Sequence, residues 1–202
     1  MIDRRLLVAT HNRGKVAEFA RMLALEGIEI VGLADLGIDG EMEETGETFR
    51  ENASLKASGF AQLAGIPTLA DDSGLVIDVL NGRPGVLSAR YAGKGASDPE
   101  RMEKVLFEMS DAASEQRSAR FICALSLSDA NGKIVTEVEG MCEGKIVRTP
   151  HGVNGFGYDP IFQPVGFDKT FGEMGAEIKD SLSHRSNAIA KIIPFLRGFF
   201  NI

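Results

Sequence analysis

Leu6-Leu7-Val8-Ala9-Thr10-His11-Asn12-Arg13-Gly14-Lys15 is the stretch that decides the fold class. Leu6 to Thr10 is a short apolar run, consistent with a buried strand, and His11 to Gly14 supplies polar and glycine punctuation after it. From Lys15 onward Val16, Phe19, Ala20 and Leu23 recur at i, i+3, i+4 and i+7, which predicts a helix closed by Gly27. Ile28-Glu29-Ile30-Val31 then reads as a second strand. Strand, loop, helix, strand is the order of an α/β fold.

Working outward, an acidic segment from Gly40 to Glu47 precedes a helix expected near Thr48 to Ala64. Phe49, Ala53, Ala57, Phe60 and Ala64 form its apolar stripe, while Asn52 and Lys56 stand four apart on another face. Gly65-Ile66-Pro67 ends that helix and opens an apolar run, Ile66 to Ala70, from which Asp71-Asp72-Ser73-Gly74 emerges. Successive side chains of a strand point to opposite faces. In a strand the two aspartates therefore cannot do the same job: one could hold a divalent metal while the other orients or deprotonates a water. The same four residues also read as a turn.

Leu75 to Val79 is a further short strand, followed by a loop at Asn81-Gly82-Arg83-Pro84-Gly85. Asp98 is a fitting N-cap with Pro99 behind it, and Met102, Val105, Leu106 and Met109 give the next helical stripe. From Arg120 the period becomes two, up to the hairpin signal Asn131-Gly132, and Ile134 to Glu139 returns. A third strand is expected from about Met141 to Val147. The closing helix carries Ile189, Ile192, Ile193 and Leu196 on one face, with Pro194 expected to kink or break it. Without repeats or linkers, residues 1–202 read as a single α/β domain around a mixed sheet, with the meander at roughly 117–148 as a second lobe and a cleft between lobes as the ligand site.

The 202 residues are 44% hydrophobic and 25% charged, as in an ordinary soluble protein. No run approaches the ~18 apolar residues of a membrane span. Met1-Ile2-Asp3-Arg4-Arg5 leads into too short an apolar run for a secretory signal, so the expected location is the cytoplasm, with no membrane partner. The formal charge of −7 argues against DNA or RNA, which need clustered Lys and Arg. A small phosphorylated ligand remains compatible, given a local basic pocket and a divalent cation. Cys123 and Cys142 sit in separate strand-like runs without metal-ligand spacing and read as buried free thiols.

Three further stretches could carry chemistry. Thr10-His11-Asn12-Arg13-Gly14-Lys15 opens a helix whose N-terminal amides favour anions, although the P-loop spacing is missing; it reads also as a plain turn, with Glu18 as a solvent or packing residue. Gly152 to Pro160 sets three glycines around Phe156, which either stacks on a flat ligand or tucks into the core, and Asp159 either accepts from a base or caps the turn. Lys179-Asp180-Ser181-Leu182-Ser183-His184-Arg185 gathers donors near the start of the last helix, or is a solvated helix start capped by Ser183. His11 and His151 read as surface residues.

Taken together, Thr10-x-Asn12-x-x-Lys15, Glu44-Thr45-Gly46 with Asn52-x-x-x-Lys56, Ala70 to Gly74, Gly155 to Pro160 and Ser183-His184-Arg185 resemble the inosine triphosphate pyrophosphatase family. That family hydrolyses non-standard purine nucleoside triphosphates such as ITP, dITP and XTP. The likeness runs from Leu6 to the final helix, with five motifs in the family's order. The resemblance implies an elongated two-lobed α/β protein, a homodimer, with the nucleotide in the cleft, Mg²⁺ required and pyrophosphate released. By the same resemblance Thr10, Asn12, Lys15 and Lys56 would hold the triphosphate. Glu44, Asp71 and Asp72 would position the metal, with Asp72 also the general base. Phe156 would stack on the purine, and Asp159, Lys179, His184 and Arg185 would contact its edge, with Ser73 a neighbouring candidate.

Residue chemistry agrees: phosphoryl transfer mostly needs charge neutralisation, alignment and a positioned water. Donors from His184 or Arg185 match a 6-oxo purine and clash with adenine's amino group. Guanine shares the 6-oxo group, so its exclusion must act at the 2-position. Two rivals stand beside this expectation: a pyrophosphatase of the related Maf type, which Phe156 and Ser183-His184-Arg185 disfavour, and a nucleotide sensor without catalysis, which Asp71, Asp72 and Lys15 disfavour.

Overall fold

The computed structural model describes residues 4–23 and 25–202. Met1 to Asp3, which head the segment read for a leader, lie outside the described residues. The opening follows the sequence reading: β1 (Arg5–Ala9), α1 (Arg13–Met22) and β2 (Glu29–Gly32), with β1 and β2 parallel. Next come α2 (Phe49–Ala64) and β3 (Thr68–Ile77), then α3 (Asp98–Glu108), β4 (Ser118–Ser128), β5 (Ile134–Ile146), β6 (Phe162–Pro164), α4 (Ala176–Leu182) and α5 (His184–Phe200). The six strands make one sheet in the order β2-β1-β3-β4-β5-β6. It is mixed: β1 is parallel to β2 and β3, and β5 is antiparallel to β6.

Local chemistry explains most boundaries. Asn12 caps α1 by accepting from the Lys15 amide, and Thr48 with Glu51 closes a capping box at the start of α2. At the hairpin, the Asp129 carboxylate accepts from the amides of Asn131 and Lys133, and Gly132 takes φ +83°, a conformation that favours glycine.

Several expectations need correction. Asp71-Asp72-Ser73-Gly74 is no turn: the runs on either side of it are one ten-residue strand, β3. Ile134 to Ile146 is likewise one strand, so no separate third strand starts at Met141; the strand that extends the meander is β6. Ser97, not Asp98, caps α3, in a capping box with Glu100. α5 runs unbroken through Pro194. On α1 the exposed residues include Val16 and Ala20, whereas Glu18 and Phe19 are buried.

The chain forms two compact units, each built from separated segments. One comprises the chain up to Asp72, Cys123–Gly140 and Arg185–Ile202; the other comprises Ser73–Ile122 and Met141–His184. β3, β4 and β5 each contribute residues to both. In the first unit Leu6, Val8 and Phe19 share a core with Cys123, Leu125, Ile189, Ile192 and Leu196. A second cluster joins Leu7, Ala9 and Ala70 to Ala57 and Phe60 of α2. In the second unit Leu75, Ile77, Val105 and Met109 pack with Phe121, Phe162 and Phe171. Cys123 and Cys142 are buried free thiols. Among the described residues no helix is long and apolar enough to cross a membrane.

Candidate functional site

β3 carries the carboxylates of the first unit, and alternation along the strand gives them different partners. Asp71 Oδ2 lies 2.8 Å from Lys15 Nζ of α1 and 3.4 Å from Arg185 Nη2 of α5. Arg185 also donates to Glu18 of α1, so Lys15, Asp71, Arg185 and Glu18 form a run of alternating charge in which all but the half-buried Lys15 are buried. Asp72 Oδ1 lies 3.3 Å from Lys56 Nζ of α2, which donates at 2.8 Å to Glu44 Oε1. The backbone just after Glu44 is fixed by Asn52, whose side chain accepts from the Gly46 amide at 2.8 Å and donates to its carbonyl at 3.3 Å. A Cβ at Gly46 would come within 2.6 Å of Glu51 Cβ and 2.8 Å of Asn52 Oδ1, so this close approach needs glycine.

Electrostatics separates the two neighbours. Burial pushes the Asp71 carboxyl up, but Lys15, Arg185 and Lys56 together outweigh it and hold the group well below the usual carboxylate range. For Asp72 burial wins over Lys56 and Lys15, and Glu44 and Asp71 add to the upward shift. Lys56 is raised as well, but toward its charged form: burial lowers it, and Asp72, Asp71 and Glu44 outweigh that. An aspartate held toward its ionised form therefore stands beside one shifted toward its neutral form, the pattern that separates an electrostatic from a proton-transfer role.

The donor set suits a hard cation. Glu44 and Asp72 converge on one ammonium, and Asp72 Oδ2 is buried with no hydrogen-bond partner among the described residues. Carboxylate oxygens are what Mg²⁺ takes, and it commonly uses one or two of them with substrate phosphates for the rest. Among the described residues no group of three or more His, Cys, Asp and Glu assembles as a ready-made metal cage.

Thr10 and Asn12 stand at the β1–α1 turn, where Thr10 Oγ1 accepts from the Asn12 amide at 3.2 Å. The Asn12 side chain is occupied as the cap of α1. His11 is exposed, with Nε2 3.0 Å from the Gly40 carbonyl.

The second unit holds Phe156, Asp159, Lys179 and His184. Lys179 Nζ is 2.6 Å from Asp159 Oδ2 and 4.8 Å from the centroid of Phe156, and the same carboxylate oxygen accepts from the Phe156 amide at 2.9 Å. Phe156 is half-buried. His184 stacks on Phe121, centroids 4.7 Å apart and planes at 15°, within the aromatic core. Ser73 is half-buried on β3. Arg185, adjacent to His184 in sequence, belongs to the first unit and is committed to Glu18 and Asp71.

The profile of the Ham1 family matches residues 6–195. The chain belongs to the Ham1 family. Its Ham1-family relatives include the dITP/XTP pyrophosphatase of Bacillus subtilis (strain 168), 47% identical over 198 residues, which are 98% of this chain and 100% of the relative. Among solved structures, the Staphylococcus aureus Ham1 protein is 39% identical with a TM-score of 0.84, covering 96% of this chain and 98% of that one. A nucleoside-triphosphatase / dITP/XTP pyrophosphatase from Mycobacterium abscessus is 43% identical, with a TM-score of 0.76 and coverage of 94% and 99%. The resemblance noted in the sequence is thus matched along nearly the whole chain of this Ham1-family member.

Sequence reasoning missed two parts of this geometry. Glu18 is the packing residue that one of its two sequence readings gives, and in addition it accepts from the Arg185 guanidinium 167 positions away. Its spacing of three from Lys15, on one face of α1, was the available signal. Asn52 was placed on a helix face, but its grip on Gly46 follows only from the loop's path.

Proposed function

We propose that this chain hydrolyses non-standard purine nucleoside triphosphates, ITP, dITP and XTP, to the monophosphate and pyrophosphate. The observation that carries this reading is the convergence of two lysines on three carboxylates: Lys15 Nζ lies 2.8 Å from Asp71 Oδ2, and Lys56 Nζ lies 3.3 Å from Asp72 Oδ1 and 2.8 Å from Glu44 Oε1. Relatives at 44–47% identity named dITP/XTP pyrophosphatase support the substrate class. On this reading Lys15 and Lys56, with the Thr10 and Asn12 turn, take the triphosphate, whose oxygens compete with Asp71 and Asp72 for the two ammonium groups. Glu44, Asp71 and Asp72 would hold Mg²⁺, whose bound charge would neutralise phosphate oxygens and ease departure of the leaving group. Asp72 accepts a proton from the attacking water as its oxygen bonds to the α-phosphorus. The bond to the bridging oxygen breaks and pyrophosphate leaves. Removal of Lys56 to the phosphates frees Asp72 Oδ1 for that proton.

For the base, Phe156 offers a stacking face, and Lys179 and His184 offer donors to a 6-oxo group, with Asp159 as the acceptor. Arg185 would act from its place beside Asp71. The same reading carries the expectation of a cytoplasmic homodimer.

The test is a panel of ITP, dITP, XTP, GTP, ATP and dUTP with pyrophosphate and phosphate detected separately, in Mg²⁺ and in EDTA. Fast pyrophosphate release from dITP and XTP in Mg²⁺ only is the expected result. Turnover of dUTP as fast as that of dITP and XTP, or phosphate as the first product, would overturn it.

A further inference from the structure

Phe156 sits between two glycines, and glycine flanks leave a backbone free to wander. The structure removes that freedom from both sides. The Phe156 amide donates at 2.9 Å to Asp159 Oδ2, and the next amide, that of Gly157, donates at 2.6 Å to Asp98 Oδ2. These amides belong to the peptide planes before and after the Phe156 Cα, so the two bonds together set the direction in which the ring leaves the chain. The fit is tight at Gly155, where φ is +75° and a Cβ would lie 2.0 Å from Asp159 Oδ2. Asp159 is also the partner of Lys179, but Asp98 has no place in the chemistry described above.

Asp98 is itself held. Its carboxylate accepts from Arg101 one turn along α3, and Arg101 Nη1 donates at 2.6 Å to the Ala89 carbonyl. The neighbouring Ser88 carbonyl accepts at 2.8 Å from Tyr158 Oη, just past the loop. The loop and α3 are thus tied to the same short 3₁₀ segment, Gly85–Arg90, within the second unit. Asp98 is available for this because Ser97 and Glu100 already complete the cap of α3.

We infer that Asp98, braced by Arg101, is a positioning residue for nucleobase recognition, holding the Gly157 amide so that Phe156 presents its ring to the purine. The inference rests on the reading of Phe156 as the stacking residue. Loss of Asp98 would then weaken contacts to the base while leaving the triphosphate contacts of the first unit intact. A merely structural residue would lower stability without sorting ligands by their parts.

The experiment compares wild type, Asp98→Ala and Asp98→Asn for ITP turnover, IMP affinity by titration calorimetry, inhibition by inorganic tripolyphosphate, and thermal midpoint. Asp98→Ala is expected to raise KM for ITP and Kd for IMP roughly tenfold, the size of one lost hydrogen bond to a charged acceptor, with kcat and tripolyphosphate inhibition within about twofold. Asp98→Asn, which keeps an oxygen for the Gly157 amide, should recover most of the affinity. Unchanged IMP affinity in Asp98→Ala, or equal weakening of IMP and tripolyphosphate, would overturn the inference. Failure of the wild type to turn over ITP would sink the proposed activity instead, and the IMP titration would still decide the role of Asp98.

Discussion

Asp71 and Asp72 are consecutive residues of β3 that meet different lysines: Lys15 Nζ stands 2.8 Å from Asp71 Oδ2, and Lys56 Nζ stands 3.3 Å from Asp72 Oδ1. Alternation along a strand turns adjacency in sequence into separation in space. Asp72→Asn keeps the shape of the side chain and removes its basicity. ITP affinity should stay within a few fold by calorimetry, while kcat falls by about 10²–10⁴, the usual range for a lost general base. Lost affinity with normal turnover of bound substrate would reverse the roles.

Lys15 stands in the first turn of α1 with its ammonium 2.8 Å from Asp71 Oδ2, and on the proposed reading it takes the triphosphate. Lys15→Ala should weaken binding of a non-hydrolysable triphosphate analogue far more than binding of IMP, measured side by side. Equal effects on the two ligands would remove Lys15 from the triphosphate site.

The Glu18–Arg185 pair is almost wholly buried, with side chains 5% and 1% exposed. Glu18→Gln leaves Arg185 with one carboxylate fewer in a low-dielectric setting, and breaking a buried pair costs about 3–5 kcal/mol. For a chain of this length that lowers the thermal midpoint by on the order of 10 °C, readable by calorimetry. A midpoint within about 2 °C of wild type would show that the pair contributes little net stability.

Burial pushes the Cys123 thiol up to about 12 and the Cys142 thiol up to about 11. Both should resist thiolate-selective reagents in the native protein at pH 8 and react fully after unfolding. The sign for stability follows. A raised folded value favours the neutral thiol, so this contribution is complete below the unfolded thiol value near ~8.5 and is lost as pH rises toward the folded values. Urea midpoints of wild type should fall between pH 8 and pH 10 more steeply than those of Cys123→Ala.

Periodicity made the opening strand, helix and strand legible, and it made α2 legible with its stripe of Phe49, Ala53, Ala57 and Phe60. The continuity of β3 was hidden because Asp, Ser and Gly favour turns in isolation, whereas here β1 and β4 pair with the strand on either side. α4 has seven residues, too few for a period to stand out. The carboxylates and lysines of the candidate site were visible as residue types. Their pairing was not, since Lys15 finds Asp71 and Arg185 finds Glu18 only through the order of strands and helices in the fold.

The first unit is made of three stretches of chain, the last of which begins at Arg185. A ribosome delivers residues from the N-terminus onward, so β1, α1 and β3 emerge long before the Ile189, Ile192 and Leu196 side chains that complete their core. Until then Asp71 lacks its arginine, and apolar surface on Leu6, Val8 and Phe19 lacks its cover. A chain cut short just before Arg185 would therefore keep the motifs up to His184 and leave its first core open, a substrate for proteases rather than a weakened enzyme.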